Sequence, residues 1–102
     1  MGWKLISVVR STKPEKKWVA VFENALSRTQ KRRSTTHFGA AGMEDFTMHK
    51  DPERRKLYRQ RHRKDLETRD PRRAGFLSWH LLWGPTTSLR KNIALFKSKF
   101  NL

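Results

Sequence analysis

The sequence predicts an α+β fold: a small three-stranded antiparallel meander followed by three helices packed on one face of it. Three observations lead there. Bulky and β-branched residues recur through the first 39 positions, joined by connections too short for a parallel crossover. A glycine-punctuated segment, AAGMEDFTMH, then breaks the strand pattern. Beyond it, Asp-Pro start signals and helical apolar spacing take over.

The first strand is expected over residues 3–10, WKLISVVR, and Pro14 marks the turn that follows it. A second strand over 17–23 sets Trp18, Ala20 and Phe22 on one face and Val19 and Val21 on the other, because successive side chains alternate. Residues 24–34, NALSRTQKRRS, are polar and basic without alternation and read as an exposed loop. A short third strand over 35–39 places Thr36 and Phe38 on one face. Gly39 and Gly42 let the backbone turn sharply in the hinge.

Asp51-Pro52 starts a helix expected over 52–65: the aspartate caps free amides, and proline suits a first turn that needs no N–H. Leu57, Tyr58, His62 and Leu66 form its narrow apolar stripe. The next helix, over 75–83, is apolar nearly all round and belongs in the core. Gly84-Pro85 ends it. Thr87 or Ser88 caps a last helix over 88–99, where Leu89, Ile93, Phe96 and Phe100 share a face. The predicted core is Trp18, Phe22, Phe38, Phe76, Trp79, Leu82, Trp83, Leu89, Ile93 and Phe96, within one domain spanning 1–102.

Charge is the dominant functional signal. Lys and Arg number 24 against 9 for Asp and Glu, a net +15 with a pI near 11.4. Such a surplus repels itself in a compact chain, so an anionic partner is the natural relief: acidic protein surfaces, RNA or DNA phosphates, or anionic lipid. The absence of cysteine removes disulfide scaffolds and thiolate metal sites and is compatible with a reducing intracellular compartment. No apolar run approaches the length of a membrane span. The first 14 residues lack acid, as transit peptides do, but their apolar spacing is that of a strand. Gly2 heads no myristoylation signal, since Ile6 stands where Ser or Thr is wanted.

From Lys50 to Arg73 the chain carries 11 basic and 5 acidic residues, a local +6. Read blandly, this is a solvated helix face laced by pairs with Glu53 and Asp65. The same bias elsewhere in the chain tips the reading to anion binding. The candidate contacts are Arg28, Lys31, Arg32, Arg33, Arg54, Arg55, Arg59, Arg61, Arg63, Lys64, Arg72 and Arg73. Arginine predominates, and its planar fork suits phosphate and carboxylate. No zinc-finger spacing, RNA-recognition strand motif or helix-turn-helix accompanies it, so sequence-specific readout is not expected.

Trp79 and Trp83 could stack on bases or enter a membrane interface. Core packing is the better reading, because no other segment supplies comparable bulk. His37, His49, His62 and His80 never fall three or four apart, so no metal site is expected. Asp45, His49 and Asp51 lie near the hinge, but no nucleophile, phosphate loop or carboxylate pair completes a mechanism. The expectation is a non-enzymatic protein with no catalytic residue, cofactor or small-molecule substrate.

The stretch HFGAAGMEDFTMHKDPERRKLYRQRH, followed by AGFLSWHLLWG, resembles a family of small basic proteins of large DNA viruses, algae and other protists. The resemblance rests on His37-Phe38-Gly39, Asp45-Phe46-Thr47, Asp51-Pro52-Glu53-Arg54 and Gly75 to Trp83, and spans roughly residues 17–100. It implies a shared fold and an accessory role in a large assembly such as a virion, and places no catalytic residue. The leading expectation is therefore a structural protein that cements an assembly through charge, a minor capsid component in its specific form. Its alternatives are a sequence-nonspecific nucleic-acid-binding protein, ribosome-associated or genome-packaging, and an accessory subunit of an organellar complex. Virion localisation follows from the first; an organellar or nuclear one follows from the others.

Overall fold

A computed structural model describes residues 2–25 and 27–102. Three strands, β1 (Lys4–Arg10), β2 (Lys16–Ala25) and β3 (Lys31–Ala40), form an antiparallel sheet in the order β1-β2-β3. Helices follow, so the α+β class and the meander stand as the sequence predicts. Alternation puts Leu5, Ala20, Phe22 and Phe38 on one face, where they join Phe76, Leu77, Leu81, Leu82, Trp83 and Phe96 in a single apolar cluster.

The stretch expected as a loop over 24–34 is mostly strand. The β2–β3 ladder continues outward through Glu23↔Arg33, Asn24↔Arg32 and Ala25↔Lys31. Glu23 explains the extension: it accepts a 2.6 Å hydrogen bond from Arg33, and Lys31 lies 3.9 Å away. A cross-strand ion pair and backbone bonds carry this part of the ladder, which needs no apolar alternation. Arg28 lies in the hairpin loop.

At the other end of β3, Gly39 and Gly42 take positive φ values of 79° and 83°. A Cβ on Gly39 would sit 2.8 Å from Leu82 Cδ1, so glycine also permits close approach to the core. The hinge then forms a helical turn absent from the sequence reading, α1 (Phe46–His49). Asp45 caps it, accepting hydrogen bonds from the Thr47 amide and hydroxyl while pairing with Lys17 Nζ at 2.7 Å. The cap drops Phe46 into the core.

α2 (Pro52–Arg61) begins as expected, with Asp51 accepting from the amides of Glu53 and Arg54. It ends sooner than the expected 65: His62 leaves the helical region, and a tighter 3-10 segment, Arg63–Thr68, continues the chain. The expected core helix comprises an α turn, α3 (Ala74–Leu77), running into a wide π turn, Ser78–Leu82, closed by the Trp83 amide on Ser78 O at 3.0 Å. Gly84 stops it under crowding, since a Cβ there would lie 2.1 Å from His80 O. α4 (Leu89–Phe100) is capped by Ser88, whose hydroxyl accepts from the Lys91 amide.

Phe22, Phe38, Phe76, Trp79, Leu82, Trp83 and Phe96 are buried as predicted, whereas Trp18, Leu89 and Ile93 are half-buried at the margin of the cluster. Asn92, a polar residue outside the predicted core, is also buried on α4. Its Nδ2 donates to Leu81 O and Thr86 O, and its Oδ1 accepts from the Thr86 amide and hydroxyl. All four hydrogen-bonding positions of the amide are thereby used, and the 83–88 linker is tied to α4.

Candidate anion-binding surface

α2 is the element on which charge becomes geometry. A helix turns 100° per residue, so its residues separate into stripes. One stripe, Arg55 and Arg59, turns inward. Arg55 Nε donates to Gly84 O at 2.8 Å, and Arg59 Nη1 donates to Trp83 O at 2.9 Å. Both acceptors belong to the carboxyl end of the core helix, where carbonyls point outward and the helix dipole is negative. The Arg55 guanidinium also lies 5.6 Å from the Phe46 ring centroid, and that of Arg59 lies 4.4 Å from that of Trp79. Burial, with Arg55 beside it, lowers the Arg59 pKa from its ordinary value. These two arginines fasten α2 to the core helix.

A second stripe, Lys56, Gln60 and Arg63, faces outward. With Arg55 and Arg59 it walls an open depression of about 450 Å³ against Trp79 that has no carboxylate in its lining. A neighbouring depression of about 480 Å³ shares Gln60 and Arg63 and adds Arg61, Lys64 and Arg69, with Glu67 as its one acid. The two join into one strip. Lys56, Arg61, Arg63, Lys64 and Arg69 are exposed, and none makes an ion pair among the described residues.

The twelve candidate contacts therefore divide. Arg61, Arg63 and Lys64 are on the strip; Arg55 and Arg59 form its inner wall while holding the fold. Arg54 pairs with Glu44 at 3.3 Å across the hinge. Arg72 and Arg73 both lie by Asp70, at 3.6 and 3.7 Å, and Arg72 also covers the Trp3 ring. Arg28, Lys31, Arg32 and Arg33 belong to the β2–β3 hairpin, where Glu23 partly neutralises the group. Lys56, Gln60 and Arg69 are strip residues that sequence reasoning left out. The four- and three-residue steps from Lys56 to Gln60 to Arg63 were the available signal.

The histidines sit on separate elements. His37 Nδ1 is 2.7 Å from Ser11 Oγ, which also accepts from the Lys13 amide and so ties the β1–β2 turn to β3. His49 Nδ1 accepts from the Asp51 amide, and His62 lies 3.3 Å from Asp65. His80 packs among Phe76, Phe96 and Phe100, and burial pushes its pKa down to about 4, with Lys99 and Arg59 adding to the shift. Among the described residues, no cluster of three His, Cys, Asp or Glu could hold a metal ion, and no helix is long and apolar enough to cross a membrane.

Fold and surface together define a small α+β domain with a basic strip running from α2 into the 3-10 segment that follows it. Residues 6–62 match the model of a family of unknown function, DUF5754, and the chain belongs to that family. The match begins earlier than the resemblance noted in the sequence and ends at the close of α2, before GFLSWHLLWG. No curated protein and no solved structure matches the chain.

Proposed function

We propose that this protein is a non-enzymatic structural component that cements a large assembly by seating its α2 strip on an anionic neighbour. The carrying observation is the strip itself: five exposed cations, unpaired among the described residues, that run from α2, clamped to the core by Arg55 and Arg59, through the 3-10 segment to Arg69. A clamped helix presents its cations from an already ordered backbone, so less backbone freedom is lost on binding, which favours adhesion over mere solubility. The specific form, a minor capsid protein of a large DNA virus contacting acidic protein surfaces, draws on the sequence resemblance. It is tested by quantifying the chain in purified particles of a virus that encodes it. A constant ratio to the major shell protein supports the virion role; absence from particles removes it.

One observation favours a second reading, nonspecific binding to RNA or DNA. Large exposed apolar residues are missing from the strip lining, where protein interfaces usually place their anchors. Phosphates need no such anchor. Titration with duplex DNA and structured RNA across a salt series separates the readings. Salt-steep binding supports the nucleic-acid form; no binding at low salt removes it.

A further inference from the structure

The remaining stripe of α2 is unlike the other two. Arg54, Leu57, Tyr58 and Arg61, at i, i+3, i+4 and i+7, line a cleft of about 520 Å³ between α2, the hinge and the core helix. Its rim mixes exposed apolar side chains, Leu57 on α2 (46% exposed) and Met43 on the hinge (65% exposed), with Arg54, Arg61 and Glu44. Its two carboxylates are already matched, Asp45 by Lys17 and Glu44 by Arg54. On so polar a helix, the exposed Leu57 shares this open cleft with a second large exposed apolar side chain, Met43. Leu82 and Trp83 lie deeper in the lining.

The polar groups define what would fit. Tyr58 stacks between Trp83 and His62, with ring centroids 4.1 and 4.2 Å apart, so its ring is held fixed. Burial, with Asp65 and Asp45 adding, pushes its pKa up to about 12, and the phenol is a hydrogen-bond donor at neutral pH, as an ordinary tyrosine is. Arg54 and Arg61 flank Leu57 and Tyr58 on the helix. Arg54 is held only by its exposed pair with Glu44, a contact of small net worth that another carboxylate can replace. Arg61 makes no ion pair among the described residues.

We infer that this cleft docks an extended segment of a different protein, carrying an apolar side chain between two carboxylates. Seven residues of helix separate Arg54 from Arg61 by roughly 10 Å. An extended chain covers that span in about three residues. The matching pattern is acid, apolar within the next two positions, acid. A second copy of this chain is a poor occupant. Its net charge is +15, and its own acid-apolar segments are committed to the fold. Glu44-Asp45-Phe46 has Asp45 and Phe46 buried, and Asp65-Leu66-Glu67 is wound into the 3-10 segment with Leu66 packed against the core. The cleft shares Arg61 with the basic strip but none of Lys56, Gln60 and Arg63, so variants at Lys56 and Arg63 disturb the strip and leave the cleft intact.

The experiment uses two synthetic fluorescent peptides on the whole chain, one with the core Asp-Gly-Leu-Asp and one with Asp-Gly-Ser-Asp. Fluorescence anisotropy should show the leucine peptide binding at least tenfold tighter. Leu57→Glu should remove that preference, while the K56E/R63E double variant should retain it; all three positions are exposed, and circular dichroism checks that each variant folds. Equal binding of the two peptides, no binding, or a preference that survives Leu57→Glu would overturn the assignment. So would a preference lost in K56E/R63E with the fold intact. Failure of the outward strip to bind any polyanion leaves the predicted preference unchanged, so the two proposals fail separately.

Discussion

Arg59 and Arg63 stand four residues apart, carry the same side chain and do different work. Arg59 spends its guanidinium on Trp83 O and the Trp79 ring; Arg63 offers its own to the surface. The contrast teaches that a high arginine count measures neither a binding surface nor stability. What decides is which stripe of the helix meets the negative end of its neighbour. The inner pair makes the outer stripe rigid, so the two faces are mechanically related even though their contacts are separate.

The contrast can be broken most severely from beneath. Trp79→Ala removes the ring covered by Arg59 and should cost about 3–5 kcal/mol in urea denaturation. Unchanged stability with lost binding would instead make Trp79 a contact residue. Next, Arg59→Ala leaves Trp83 O without its charged donor and should destabilise the protein by about 2 kcal/mol. Arg63→Ala should stay within about 0.5 kcal/mol of the parent, because nothing folded depends on it. If the two arginine variants are equally stable, the division into inner and outer stripes fails.

A smaller effect is expected from pH. His80 is neutral in the fold, with its pKa lowered to about 4, whereas the unfolded chain takes up a proton near the ordinary value of 6.5. The unfolded state thus binds more protons between those values, so stability should fall as pH drops from 6.5 toward 4. Partial exposure keeps the slope below the roughly 1.4 kcal/mol per pH unit of one fully unscreened proton. His80→Phe keeps the aromatic packing and should flatten the part of the pH dependence that His80 contributes. An unchanged profile would place the titration elsewhere.

The fold class was legible because its signals are local. Asp51-Pro52 announces α2 through its own cap, and the apolar run at 75–83 can go nowhere but inside. The β2–β3 extension was hidden because Glu23, Arg33 and Lys31 stabilise it through charge, in a stretch without apolar alternation. The π turn at Ser78–Leu82 has no spacing signal, and α1 is a single turn made by the buried Asp45 cap. The site was half legible. Composition identified the basic helix, but Arg55 and Arg59 look identical to Arg61 and Arg63 until the Trp83 and Gly84 carbonyls are placed beside them. Asn92 was missed likewise, since only folding brings its four partners together, one at Leu81 in the core helix and three at Thr86 in the linker.

On the proposed reading, anion binding is localised on the strip formed by α2 and the 3-10 segment after it and is not a diffuse property of net charge. The direct measurement is affinity for one polyanion, a short DNA duplex or poly-glutamate, in two charge-matched variants: K56E/R63E/K64E on the strip and R90E/K91E/K97E on α4. All six positions are exposed. The account predicts that the strip variant loses most of its affinity and its salt dependence, while the α4 variant stays close to the parent. Equal losses in both would contradict it.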